Sequence, residues 1–170
     1  MSHNESNKLI QLLNLQPHPE GGFYSRTYES NDYITSTDIS RYQGEVRRAC
    51  TSIYYLLNGN DFSAWHRLHS DEVWHYYKGS TVTIYMINDK GVLTRQKLGD
   101  PTQEPDAVFQ YCIPANTWFA ADIIDKSSFC LVGCTVSPGF EFDDFTLAKR
   151  DKLIEQFPEH NHIITTFTRI

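Results

Sequence analysis

Residues 64–79 read AWHRLHSDEVWHYYKG, which places three histidines, two acids, two tryptophans and two tyrosines within sixteen residues. Imidazole and carboxylate groups bind transition metals and move protons near neutral pH, so the stretch points to a metal centre or to acid–base chemistry. Spacing narrows the choice. His66 and His69 are three apart and face opposite sides of a regular strand, so joining both on one ion takes a bulge or turn at Leu68. If Ser70-Asp71 is a two-residue hairpin turn, His69 lies opposite Glu72 and His66 opposite His75. A His66–His75 cross-strand pair with a carboxylate such as Glu72 then makes a metal set of the facial-triad kind.

The other reading needs no metal. Glu72, Trp74 and Tyr76 alternate along one strand and share a face. A carboxyl among indoles and phenols either finds a partner or has its pKa raised by desolvation. Arg26 is the expected partner, with Arg67 weaker on parity. HPEGGFYSRTY, near the start, supplies His18, Glu20, Tyr24 and Arg26. Its two glycines permit φ > 0 or a close backbone approach, and a turn alone needs neither His18 nor Glu20. These four are expected at the mouth of a pocket. Of the remaining histidines, His69 reads as a rim residue, His75 as either an outer-face or a site residue, and His160 and His162 as solvated. SPGFEFDDF reads as a packed lid, with Phe140, Phe142 and Phe145 inward and Glu141, Asp143 and Asp144 outward.

Strands must position these groups. TSIYYLL, FSAWHRL, EVWHYY, TVTIYMI, VLTRQKL, AVFQYCI, TWFAADI and FCLVGCTV are short and rich in β-branched and aromatic residues. Turn signals such as Asn58-Gly59-Asn60-Asp61, Asn88-Asp89-Lys90-Gly91 and Pro114-Ala115-Asn116 bound them. Regular spacing of this kind predicts an all-β sandwich or barrel. NDYITSTDISRYQGEV reads as strand edges joined by a loop. A short helix, capped at Asn4 or Ser6 and striped by Leu9, Ile10, Leu12 and Leu13, precedes the strands and ends before Pro17 and Pro19. FTLAKRDKLIEQF predicts one amphipathic helix near the end, and HNHIITTFTRI a last strand or helix. No repeat or linker interrupts residues 1–170, which are expected to form one domain.

The chain has 170 residues and a formal net charge of −6. Its basic residues are scattered, which speaks against a phosphate-tracking nucleic-acid surface. No stretch reaches the eighteen or more apolar residues of a membrane span, and the first residues lack a signal-peptide pattern, so a cytoplasmic protein is expected. Cys130 and Cys134 would share a strand face about 13 Å apart, too far to hold one zinc. All four cysteines are expected to be buried and reduced.

Gly59, His66, Glu72 and Gly79, followed by Pro114-Ala115-Asn116-Thr117-Trp118-Phe119, resemble in order the two motifs of the cupin superfamily. LIQLLNLQPHPEGGFYSRTY, WHRLHSDEVWHYYKG, IPANTWFAA and LVGCTVSPGFEFDDF together are similar to one branch, the cupin-5 family. The resemblance implies a double-stranded β-helix, the cupin jelly-roll barrel, with short N-terminal and C-terminal helices. It also implies a pocket inside the barrel and a homodimer. A cupin metal cage resembles three histidines and one carboxylate. Aligned on Glu72, the cage keeps His66, but its second histidine falls on Leu68 and its last on Phe119.

Three functions follow. The first is a metal-independent isomerase or epimerase acting on a polar small molecule, a sugar or nucleotide derivative. It takes His66 as base, Glu72 as its orienting carboxylate and Tyr76 or Tyr24 as acid, with His18, Glu20, Tyr24, Arg26, Trp74 and Trp118 contacting substrate; no cofactor is favoured. The second uses a divalent transition metal on His66, Glu72 and His75 or His69. The third is a ligand-binding or sensing domain without chemistry.

Overall fold

The computed structural model describes residues 2–35, 39–42, 45–59 and 61–169. Its chain runs through helix α1 (Ser2–Leu12), strands β1 (Gln16–Pro17), β2 (Phe23–Glu29), β3 (Tyr33–Ile34), β4 (Arg47–Arg48), β5 (Thr51–Asn58), β6 (Phe62–Leu68) and β7 (Asp71–Gly79). It continues with β8 (Val82–Ile87), β9 (Leu93–Leu98), β10 (Ala107–Val108), β11 (Gln110–Ile113), β12 (Trp118–Ile123), β13 (Phe129–Ser137) and β14 (Phe145–Leu147), then helices α2 (Arg150–Gln156) and α3 (Asn161–Thr166). β3 and β4 pair where strand edges are expected, although residues 36–38 and 43–44 of that stretch, like Asn60 of the first turn, lie outside the described residues.

Two six-stranded sheets form the body, in the orders β1-β2-β5-β13-β7-β11 and β10-β9-β8-β12-β6-β14. The fold is the all-β cupin jelly roll. Period-two alternation sets its core. Tyr55, Leu57, Trp74, Val132 and Cys134 from the first sheet meet Ile84, Met86, Phe119, Ala121 and Ile123 from the second. The alternate residues of the second sheet, Trp65, Ile87, Trp118 and Ala120, face the other way and are covered by Leu153, Phe157, Ile164 and Phe167 of the C-terminal helices and tail. Helix α1 lays Leu9, Ile10 and the following Leu13 over Leu56, Phe129 and Leu131 on the outside of the first sheet.

Three expectations change. AVFQYCI is two strands: β10 runs parallel to β9 in one sheet, while β11 pairs with β7 in the other. FTLAKRDKLIEQF begins as β14, because Phe145 and Leu147 pair with Leu68 and His66 on the free edge of β6, and only Arg150–Gln156 is helical. Ser70-Asp71 does not close a hairpin. β6 pairs with β12 and β14, whereas β7 pairs with β13 and β11 in the opposite sheet. Ser70 is a corner between sheets: its hydroxyl donates to Pro138 O at 2.6 Å and also meets the Tyr42 hydroxyl.

Candidate functional site

Inward-facing residues of the barrel leave a narrow cavity of about 40 Å³ that opens to solvent at its mouth. His18, Glu20, Tyr24 and Arg26 reach it from the HPEGG turn and β2, His66 and Leu68 from β6, Glu72 and Trp74 from β7, Cys134 from β13, and Phe140 and Phe145 from the segment after it.

The centre of the arrangement is Glu20. A bulge in β6 opposite β12, where Phe119 pairs with His66 but Ala121 pairs with Ser63, gives β6 one extra residue. It turns both Ser63 and His66 toward Glu20. The Ser63 hydroxyl donates to Glu20 Oε1 at 2.8 Å, and His66 Nε2 lies 3.1 Å from Glu20 Oε2. His66 Nδ1 sits 2.7 Å from the Ala64 carbonyl, so Nδ1 carries a proton. Nε2 and the carboxylate are therefore close enough to share a proton if the ring carries one on both nitrogens.

His18 is different. Its Nδ1 lies 3.4 Å from both the Glu20 backbone N–H and Glu20 Oε2. Burial lowers its pKa, Glu20 pulls the other way, and His66 lowers it further. The neutral ring packs edge-on to Tyr24 at 4.7 Å and to Phe145 at 5.7 Å.

Glu72 stands on the opposite wall. Burial first, and the charge of Glu20 second, push its carboxyl up to about 8. The nearby Trp74 N–H and Cys134 thiol offset this only in part. Glu72 Oε2 and Trp74 Nε1 are buried without a well-aligned hydrogen bond, although the indole N–H lies near enough to the carboxyl to act on it. At neutral pH Glu72 is mostly a neutral acid. The Tyr55 hydroxyl, also pushed up by burial and by Glu20, donates to Gly21 O at 2.9 Å and stays protonated.

The structure thus brings His18, Glu20, Tyr24, Arg26, His66, Glu72 and Trp74 together. It does not bring Tyr76, Trp118 or His75 to them. Tyr76 follows the right parity but lies beyond the cavity, its hydroxyl donating to Gly79 O at 2.6 Å. Trp118 has outward parity on β12 and packs on the helical side, under Arg67 at 4.7 Å. His75 is on the outer face of β7, with Nε2 3.2 Å from Thr135 Oγ1. With β6 and β7 in different sheets, the His66–His75 pair does not exist. Arg26 does not pair with Glu72; it donates to Glu29 Oε2 at 3.3 Å and Phe140 O at 3.2 Å at the mouth. His66 is oriented by Glu20, not by Glu72.

The rim also differs from expectation. Asp144 points in, not out. It is 4% exposed and takes Arg47 Nε at 2.7 Å and Nη2 at 2.9 Å, while Phe142 is half exposed. His160 is held by Gly91 O at 2.7 Å instead of being solvated. Cys112 is exposed and Cys50 half-buried; all four cysteines are free.

Cupin folds often carry a metal. Here Leu68 lines the cavity where a second imidazole belongs, and the Phe119 ring packs 3.9 Å from His66 where a third belongs. Both His66 nitrogens are engaged. Among the described residues no three His, Cys, Asp or Glu side chains are placed to hold an ion. The set does not fit a metal cage. Ser63 and Cys134 were not expected at the site; only the bulge, invisible in strand parity, could have pointed to Ser63.

Residues 7–148 match a family described as Cupin_5, Cupin superfamily (DUF985). A crystal structure of a protein from Shewanella oneidensis is 36% identical over 96% of this chain and 97% of its own, with a TM-score of 0.84. A hypothetical protein from Leishmania major is 30% identical over 97% and 99%, with a TM-score of 0.85. Oxalate decarboxylase from Bacillus subtilis is similar in fold alone, at 9% identity and a TM-score of 0.54, covering 89% of this chain and 36% of its own. No protein of curated function matches. No helix among the described residues is long and apolar enough to cross a membrane.

Proposed function

The chain belongs to the Cupin_5 (DUF985) family of the cupin superfamily, and for this member we propose a metal-independent isomerase that shifts a proton on a small α-hydroxycarbonyl compound, a sugar derivative. The observation that carries the reading is two acid–base units facing one cavity: the Glu20–His66 pair and Glu72. Their roles differ. The pair, with a proton on both ring nitrogens of His66, donates. Glu72, with a pKa near 8, releases its proton close to working pH, as a general base should.

The Glu72 carboxylate takes the proton from the carbon beside the carbonyl, and the electron pair of that C–H bond moves onto the carbonyl oxygen. That oxygen takes the shared proton of Glu20–His66, giving an enediol. The neighbouring hydroxyl returns its proton to the pair, and Glu72 delivers its own to the former carbonyl carbon. One base returning a proton from the side it came from favours isomerisation; inversion at one carbon needs a second base on the far side. The poorly aligned Trp74 N–H suits the carbonyl oxygen, and Arg26 at the mouth suits an anionic tail such as a phosphate. His66 thus serves with Glu20 as the acid instead of the base, and Glu72 as the base instead of an orienting carboxylate, because both ring nitrogens of His66 face acceptors.

The test uses chelator-treated protein in D₂O with dihydroxyacetone, glyceraldehyde and the phosphates of three- to six-carbon aldoses and ketoses, read by NMR. Deuterium should enter beside the carbonyl of at least one compound. Glu72→Gln should cut that rate about 10²–10⁴-fold, the usual worth of a positioned acid or base. Exchange that needs added metal, or that survives Glu72→Gln at full rate, rejects the reading. A compound that raises thermal stability but emerges unexchanged would make the pocket a binding module instead.

A further inference from the structure

We propose that Arg169, near the C-terminus and outside the cavity, is a positioning residue that fixes Glu20 against His66 by clamping the HPEGG turn to the start of β6. The inference rests on the Glu20–His66 pair being the working unit proposed above.

The geometry is a set of shared acceptors. Arg169 Nε donates to the Glu20 carbonyl at 3.0 Å. Its Nη2 donates to Phe62 O at 2.8 Å and to Asp61 Oδ1 at 2.6 Å. Asp61 closes the loop from the other side: Oδ2 accepts the Gly22 N–H at 2.7 Å, and Oδ1 accepts the Phe62 N–H at 2.9 Å. The Glu20 carbonyl also accepts the Ala64 N–H at 2.9 Å. One guanidinium and one carboxylate therefore tie Glu20 and Gly22 to residues 61–64. That short run supplies Ser63 to Glu20 Oε1 and the Ala64 carbonyl to His66 Nδ1. The frame that sets the Glu20 side chain and the frame that sets the His66 ring are the same few peptide units.

The glycine between them shows how close the fit is. Gly21 has φ +116°, and a Cβ there would lie 1.9 Å from Arg169 Nη2 and 2.2 Å from Phe62 O. The guanidinium occupies the space that any larger residue would take. It also covers the Phe62 ring at 4.6 Å. The last turn of chain is brought there by independent contacts: Trp65 N–H to Phe167 O at 2.9 Å, and Arg150 to Thr168 Oγ1 at 2.8 Å and Thr168 O at 2.7 Å. Arg150 thus anchors the same tail without touching the HPEGG turn, which makes it the control.

The experiment records the His66 ring ¹⁵N signals of the full chain by long-range ¹H–¹⁵N correlation, beside the melting temperature. Arg169→Ala should move the Nε2 signal from its wild-type position. Arg169→Lys, which keeps a donor for the Glu20 carbonyl, should restore at least half of the shift. Arg150→Ala, which loosens the tail but keeps every donor of the clamp, should move the signal by less than half as much. If Arg169→Ala does not fold, Arg169→Gln is read in the same way. The clamp is overturned if loss of Arg169 leaves the His66 signals unmoved, or if Arg150→Ala moves them at least half as much. The proposed function fails separately: a wild-type spectrum with no proton at Nε2 removes the shared proton, while the response to Arg169 substitution still decides the clamp.

Discussion

Glu72 serves chemistry at the expense of stability. Its folded-state pKa of about 8 lies above the ordinary carboxyl value of 4.5, so the folded protein binds this proton more tightly than the unfolded chain does. The favourable contribution is complete below about pH 4.5 and is lost as pH rises to about 8. At about 1.4 kcal/mol per pH unit, the loss reaches at most about 5 kcal/mol. Glu72→Gln keeps the shape and cannot ionise. Denaturant titrations should show the variant overtaking the wild type between pH 5 and pH 9; parallel curves would mean that Glu72 is already charged at pH 5. The proposed activity should run the opposite way in the wild type, rising as Glu72 ionises near pH 8. His66, Glu72 and Trp74 were legible as cavity-lining residues because motif order and strand parity hold locally, and Glu20 because a turn alone does not need it. The His66–Glu20 partnership was not. Those residues are 46 apart, and a β6 bulge, which leaves no mark in residue type, turns Ser63 and His66 to the same carboxylate.

Among the elements, the segment from Phe140 to Leu147 decides the shape of the cavity. Phe140 and Phe145 line it, and β14 fastens to the edge of β6. What holds this wall is the buried Arg47–Asp144 pair, with Arg47 at 7% and Asp144 at 4% exposure. Glu45 adds a further contact to Arg47, and Asp144 Oδ1 lies 3.5 Å from His69 Nδ1. Truncating one partner of a buried pair leaves the other charge without compensation, at a cost of about 3–5 kcal/mol. Arg47→Ala should lose that much in urea unfolding, and replacing both residues with Met and Leu should recover most of it. A loss under about 1 kcal/mol for Arg47→Ala would mean that the pair is already solvated. The acidic alternation of SPGFEFDDF suggested outward carboxylates. It hid Asp144, because the partner that draws it in lies far away in sequence, on β4.

At the scale of the whole molecule, the strand pattern carried the fold. Eight apolar runs became the principal strands of two facing sheets. What the pattern did not reveal was which neighbours pair. A two-residue spacer reads as a hairpin, yet β6 and β7 lie in opposite sheets, since Ser70 is tied to Pro138 on the far side of the corner. That single topological fact removes the His66–His75 metal pair and places Glu72 across the cavity from His66. It leaves a barrel whose motif carries apolar side chains at two ligand positions, Leu68 and Phe119, and whose acidic groups are arranged to hold protons. Such a pocket is expected to work without a metal. Elemental mass spectrometry of untagged protein, purified without chelator or added metal, beside His66→Asn, decides this. Far less than one equivalent of any transition metal per chain is expected, at the same trace level in both proteins. Close to one equivalent in the wild type, lost in His66→Asn, would contradict it.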